Sequence, residues 1–372
     1  MYIINNMKLQ TLLIVTSICI LVYLFSKFLF IHAKQWLNVR ETFENKKCSI
    51  DACEGATEGF FGTPDTELSS LNNKSVPVQV SSTNKEQSNE ILQDYVVKGS
   101  YNSAITGNYA NEEMIKYVLE RGCRFLDFEV FMVDNKPQVS YSVDKTFETR
   151  ETENSILLDN ALNRAVSSAF ARPSPNYEDP LFIQLRVKSK DHSIYKMIAK
   201  SVDYSLRTKL YKKKVDGNTK LSDILGKVVL VFDKSYESNY ADYCKCEKGE
   251  KTCYDLTKYI NIESGTSSLF SNTFTEMLAE NTYPLTIKDG CNLCTNVEKY
   301  RIALPSKRIK NEKNPELKEL VLGHAIQINL FRFYLKGDEL DEYEEFFNNF
   351  QSSFVPLASM IQYYKNQEEI EE

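Results

Sequence analysis

The chain has 372 residues, 42% of them hydrophobic and 26% charged, with 45 Lys and Arg against 51 Asp and Glu. The net charge of −6 argues against a dedicated nucleic-acid binder, which carries a basic excess. The 13 Gly and 10 Pro exclude a collagen-like or low-complexity chain. The 3 histidines, His32, His192 and His324, restrict any mechanism that needs an imidazole.

Apolar residues dominate from Leu9 to Ile31, with Lys27 the one charge. The uncharged part, Leu9 to Ser26, is long enough to cross a bilayer core of ~30 Å. It is too long for the apolar core of a signal peptide, and Phe28-Leu29-Phe30 stands where small cleavage-site residues belong. Residues 1–40 are therefore expected to hold an uncleaved transmembrane helix, making this a single-pass membrane protein in contact with the lipid bilayer. Lys27, Lys34, Arg40, Lys46 and Lys47 after the span favour a cytosolic bulk domain, whereas the sequon Asn73-Lys74-Ser75 points the other way. From 41 to 90 no periodicity persists long enough to bury a face, which predicts a flexible tether; within it Phe60-Phe61 is an isolated apolar pair.

From residue 91 onward, strand-like and helix-like segments alternate. Asp94–Ser100, Arg124–Phe131, Gln138–Ser142, Leu181–Val187, Val228–Phe232 and Ala325–Phe333 read as extended. Between them, Met114, Ile115, Val118 and Leu119 mark one helical face, and Ile156 to Phe170, Ile194 to Leu210 and Leu340 to Phe350 mark others. This order predicts an α/β fold with a parallel sheet, and the length suits a TIM-like (β/α)8 barrel over 91–372. A cysteine-containing insert is expected at about 240–295.

Gly122-Cys123-Arg124-Phe125-Leu126-Asp127-Phe128-Glu129 is the sharpest motif. Residues two apart on a strand share a face, so Asp127 and Glu129 project together. Two adjacent carboxylates repel unless a cation intervenes, which suits calcium or an arginine. Their apolar neighbours favour a buried pair over a solvated edge.

Ser100-Tyr101-Asn102-Ser103, this acidic strand, Asp179-Pro180-Leu181-Phe182-Ile183-Gln184-Leu185 and Leu225 to Lys234 occur in an order that resembles the X region of phosphatidylinositol-specific phospholipase C. The resemblance runs from about 94 to 235, with a looser echo from His324 to Phe347. It implies a TIM-like barrel of the phospholipase C-like phosphodiesterase (phosphoric diester hydrolase) type, acting on phosphoinositides with calcium. It places Tyr101 and Val143 at the two catalytic histidine positions. Asn102, Asp127 and Glu129 fall on metal-binding positions, Arg186 on the last acidic ligand, and Lys234 on a lysine directed at substrate phosphate.

These departures have chemical consequences. The family reaction needs a base and an acid, and histidine serves both because its pKa of ~6.5 lies near working pH. A phenol with a pKa of ~10 is a poor base, and valine transfers no proton. Arg186 shares a face with Gln184, so its guanidinium is expected to neutralise the acidic pair in place of calcium, leaving a vestigial metal site with no cofactor. Neither His192 nor His324 falls at a motif position.

Cys244, Cys246, Cys253, Cys291 and Cys294 fit either a structural zinc site or disulfides. Arg207, Lys209, Lys212, Lys213 and Lys214 form one basic cluster, and Lys307, Arg308, Lys310 and Lys313 another. Each either leans on anionic lipid or occupies a solvated helix end. The combined expectation is a membrane-anchored phospholipase C-like pseudoenzyme, binding a phosphoinositide, another headgroup or a protein, and no nucleic acid. The alternatives are an active phosphodiesterase with a rearranged site and a structural membrane protein.

Overall fold

The computed structural model describes residues 63–371, apart from 74, 85, 247–251, 283–284, 289, 291–293 and 307–311. The anchor expected at Leu9–Ile31, the Phe60-Phe61 pair, Cys291 and most of the Lys307 cluster lie outside the described residues. No helix among the described residues is long and apolar enough to cross a membrane.

Eight parallel strands form a nearly closed barrel. They are β1 (Tyr95–Ser100), β2 (Phe125–Val133), β5 (Leu181–Val187), β6 (Val228–Asp233), β7 (Ile262–Ser264), β8 (Phe270–Thr273), β9 (Arg301–Leu304) and β10 (Ile328–Phe331). Around the barrel they follow chain order, and β10 pairs with β1 to complete the circuit. Among the described residues, no ladder joins β7 to β8; the tight turn bridging Thr266 and Leu269 links them. The short antiparallel strands β3 (Lys136–Ser140) and β4 (Ile156–Leu157) extend β2, and β11 (Phe354–Pro356) pairs with the start of β1.

The helices are α1 (Pro64–Asn73), α2 (Glu112–Glu120), α3 (Leu158–Ala169), α4 (Ile194–Leu206), α5 (Tyr240–Tyr243), α6 (Phe274–Leu278), α7 (Asp338–Phe350) and α8 (Leu357–Glu371). Strand alternation sorts apolar residues into two cores. Val97, Phe125, Phe182, Val229, Val231, Ile302 and Leu330 fill the barrel. Leu126, Phe128, Ile183, Leu185, Leu230 and Phe232 face outward onto the helices.

Two expectations are corrected. Residues 64–73 and 75–82, expected within a tether, pack onto the barrel domain. Leu71 is buried, Glu67 accepts hydrogen bonds from Thr106 and Asn108, and Ser81 bridges Ser352. Leu68 and Leu71 make only a single short apolar stripe, too little to register as periodicity. The region expected as an insert at 240–295 supplies two barrel strands, β7 and β8. Their three and four residues, Ile-Glu-Ser and Phe-Ser-Asn-Thr, lack an apolar run that would announce them.

At the amino-terminal end of the barrel, Asp179 precedes β5. Its Oδ1 accepts the Thr83 N–H at 2.8 Å, and its Oδ2 has no hydrogen-bond partner among the described residues. Burial pushes this carboxyl up to about 6, against the lowering effects of Thr83 and Arg124. The folded chain therefore retains a proton that the unfolded chain gives up near pH 3.8, and stability from this group falls as pH rises from there to about 6. Asp179→Asn is expected to remove that slope and to add about 1–3 kcal/mol at pH 7. Urea denaturation at pH 4, 5, 6 and 7 checks this; an unchanged slope would contradict it.

Candidate functional site

The carboxyl ends of β1, β2, β5 and β10 converge on a buried polar cluster at the barrel mouth. Register assembles its centre: Asp127 lies beside Gln184 and Glu129 beside Arg186 on the adjacent strands β2 and β5. Because Asp127, Glu129, Gln184 and Arg186 share the inward face of their strands, their side chains meet inside the barrel. All four are fully buried.

Arg186 donates four hydrogen bonds: from Nε to Asp127 Oδ1 at 2.7 Å, from Nη2 to Asp127 Oδ2 at 2.6 Å and Asn102 Oδ1 at 2.9 Å, and from Nη1 to Glu129 Oε1 at 2.8 Å. Lys188, the next inward position, reaches Glu129 Oε2 at 2.8 Å and the Ser142 carbonyl at 2.5 Å. Two cations thus balance two carboxylates. Backbone completes the set, with the Asn102 N–H on Asp127 Oδ2 at 3.1 Å and the Ser142 N–H on Glu129 Oε2 at 3.0 Å. Asn102 has a φ of 44°, a left-handed conformation that Asn tolerates better than most residues, and its bonds to Asp127 and Arg186 hold it there.

Burial alone would raise the Glu129 carboxyl, but Lys188 and Arg186 more than offset it and hold it below the usual range. Burial likewise opposes the Arg186 charge, yet Asp127, Tyr101 and Glu129 keep its pKa well above the ordinary value. Glu129 and Arg186 are therefore each held in the charged form by the other's presence.

Tyr101 caps it. Its ring lies 4.6 Å from the Arg186 guanidinium carbon and 5.3 Å from that of Arg332, within cation–π range. Its hydroxyl is 3.4 Å from Glu129 Oε1. Burial drives its pKa well above the usual phenol value, although Arg186 pulls the other way. Tyr101 is therefore fixed in its protonated form and cannot serve as a general base at neutral pH. Val143, in the segment whose Ser142 binds Glu129 and Lys188, is partly buried and has no proton to exchange.

The four carboxylate oxygens all have hydrogen-bond partners, and the guanidinium contacts Asn102, Asp127 and Glu129 alike. A calcium ion needs six to eight oxygen ligands and cannot share those atoms with a cation already bound to them. These residues do not fit the metal. Among the described residues there is no group of three or more His, Cys, Asp or Glu side chains able to hold one.

Lys234 is not part of this cluster. It shares the strand phase of Leu230 and Phe232, which face outward, and its Nζ lies 3.3 Å from Glu263, which also accepts from Tyr240. His324 is buried four residues before β10, at the end of the barrel opposite the mouth, and His192 stacks on Tyr243 at 3.6 Å. Cys246 and Cys253 form a disulfide, so neither offers a thiolate to zinc; Cys294 is disulfide-bonded and Cys244 is a buried free thiol. In the basic cluster, Arg207 pairs with Asp203 and Lys214 bonds the Ile260 carbonyl.

Sequence reasoning missed Lys188, Arg332, Tyr236, whose ring lies 5.5 Å from Lys188 Nζ, and Tyr334, which packs against the interior core that includes Tyr101. Lys188 was detectable as the residue two beyond Arg186, and Arg332 as two beyond Leu330. Tyr236 arrives from the loop after β6 and Tyr334 from farther along the loop after β10, each at least three residues past the end of its strand. Burial pushes Tyr334 up to about 12, with Arg332 opposing, so it too stays protonated.

The fold and site define a TIM-like barrel with a charged mouth at the carboxyl ends of its strands. Residues 88–234 match the family described as "Phosphatidylinositol-specific phospholipase C, X domain". A crystal structure of PLC21 from L. pealei superposes with a TM-score of 0.54 at 14% identity, covering 79% of this chain and 41% of that one. PLC21 from S. officinalis gives 0.54 at 15% identity, with the same 79% and 41% coverage. This chain thus spans well under half the length of either, and at these identities the likeness is one of fold. No curated protein sequence matches the chain.

Proposed function

We propose that this chain is a membrane-anchored phospholipase C-like protein that binds its target without cleaving it, the target being an intact phosphoinositide headgroup or a protein. One observation supports this reading above all: the Arg186 guanidinium occupies the centre of the acidic cluster, bonded to Asn102, Asp127 and Glu129. Phosphodiester cleavage by this family's route requires proton transfer at two positions and positive charge that can be directed at the phosphate. Here a protonated phenol and an isopropyl group stand at those positions, and the cations nearest the acids are already neutralised. The apolar run Leu9–Ile31 supports the anchor.

The test is release of water-soluble inositol phosphates from vesicles of phosphatidylinositol and its phosphorylated forms by the full chain, with calcium and with chelator. No release above buffer is expected in either, and melting temperature is expected to be the same in both. Turnover at rates typical of phospholipases C would restore the enzymatic reading. Inactivity together with failure to retain any inositol lipid or protein would leave a structural membrane protein.

A further inference from the structure

A cavity of about 860 Å³ lies on the flank of the barrel, between the turn that joins β2 to β3, the start of α3, and α4. It is separate from the mouth, and its role does not depend on whether the mouth is catalytic. Leu157, Met197, Tyr204 and Tyr254 contribute its apolar lining. Single exposed apolar residues are ordinary on a protein surface. Here, however, Leu157 at 37% and Tyr204 at 77% exposure are two of the four exposed large hydrophobic side chains among the described residues, and both line this one cavity. Met197, Ser201 and Tyr204 recur at successive turns of α4, so the lining runs along about 10 Å of that helix.

The same cavity carries three cations, Lys136, Lys200 and Arg207, against two acids, Asp159 and Asp203. Asp203 is committed to Arg207, whose Nε lies 3.1 Å from Asp203 Oδ1. The side chains of Lys136 and Lys200 are exposed and have no ion pair or hydrogen bond among the described residues. The unmatched charge is therefore positive. The volume lies in the range of small-molecule sites and exceeds what an inorganic anion fills. Long apolar walls with free ammonium groups match a ligand that is apolar along its length and negative at one end.

We propose that this groove binds a single-chain amphiphile with an anionic head, its chain against Leu157, Met197 and Tyr204 and its head held by Lys136 and Lys200. The probe is an alkyl phosphate carrying a photoreactive diazirine on its chain. It is applied to the full chain in bilayer discs of zwitterionic lipid, and labelled peptides are mapped by mass spectrometry. Saturable labelling of the 194–208 segment is expected, competed by dodecyl phosphate and not by dodecyltrimethylammonium or inorganic phosphate. The double variant Lys136→Glu, Lys200→Glu lies on the exposed rim, so its melting temperature is expected to stay at the wild-type value while labelling falls at least fivefold. Met197→Asp is expected to reduce labelling through the wall instead of the rim.

Labelling that does not saturate, that persists in the double variant, or that the cationic amphiphile competes equally would overturn the proposal. Competition by inorganic phosphate would show a simple anion site, and saturation by an acidic amphipathic peptide with no alkyl phosphate labelling would show a protein-docking groove. Either outcome also overturns it. Phosphodiesterase activity, which decides the mouth, has no bearing on these outcomes.

Discussion

Arg186→Met is expected to destabilise the protein by about 3–5 kcal/mol, the range for removing one partner from a buried ion pair. Arg186 is fully buried and bonds both carboxylates. Methionine keeps much of the volume but leaves Asp127 without a cation, and Glu129 with Lys188 alone. Desolvated charge of this kind cannot be recovered from water, because the cluster lies beneath Tyr101. Arg186→Lys is expected to restore only part of the loss, since one ammonium cannot reproduce a fork that donates to Asp127, Glu129 and Asn102 together. Adding Asp127→Asn to Arg186→Met is expected to recover a substantial fraction, because the amide removes the stranded charge. Urea unfolding followed by circular dichroism measures all of these. An Arg186→Met variant within about 1 kcal/mol of wild type would show that Arg186 is not the electrostatic centre of the barrel mouth.

Glu344→Leu is expected to cost a similar ~3–5 kcal/mol at a second buried network, outside the barrel wall. Glu344 on α7 is fully buried, 2.6 Å from Arg121 Nε, 3.7 Å from Lys98 Nζ and 4.0 Å from Lys336 Nζ. Lys98 projects outward from β1 into the layer between barrel and helices. Burial already lowers its pKa, and Glu344 is the first of the groups opposing that effect. Leucine would remove the anion and leave Lys98 and Arg121 in an apolar layer lined by Phe347. The double variant Lys98→Met, Glu344→Leu is expected to be more stable than Glu344→Leu alone, because one stranded cation, Arg121, remains in place of two. A double-mutant cycle with no coupling between Lys98 and Glu344 would contradict this account.

Both networks bear on what could be read in advance. The phase of β2 and β5 was legible because each is a long, uninterrupted run, and phase alone put Asp127 with Glu129 and Gln184 with Arg186. That is why the pairing of Arg186 with the acids could be anticipated. The Glu344 network could not, because it joins side chains from β1, the residue after α2, α7 and the loop before α7, and no local pattern ties Lys98 to a residue more than two hundred positions away. The β7 and β8 strands escaped for a different reason: three or four residues with polar members carry too little periodicity to be told from loop.

The order of apolar runs and helical stripes in this sequence determined that the chain would build an α/β barrel, since strand and helix periods are local properties of burial. It also determined that positions 101 and 143 carry a phenol and an isopropyl group and no imidazole, since side-chain identity is fixed before any folding. Only the tertiary structure decided that Arg186 and Lys188 satisfy the acidic pair, that Lys234 turns away to Glu263, and that residues 64–73 and 75–82 pack on the barrel. Those outcomes depend on which strands become neighbours and in what register, and such choices are made by the whole packed core, not by any one segment of it.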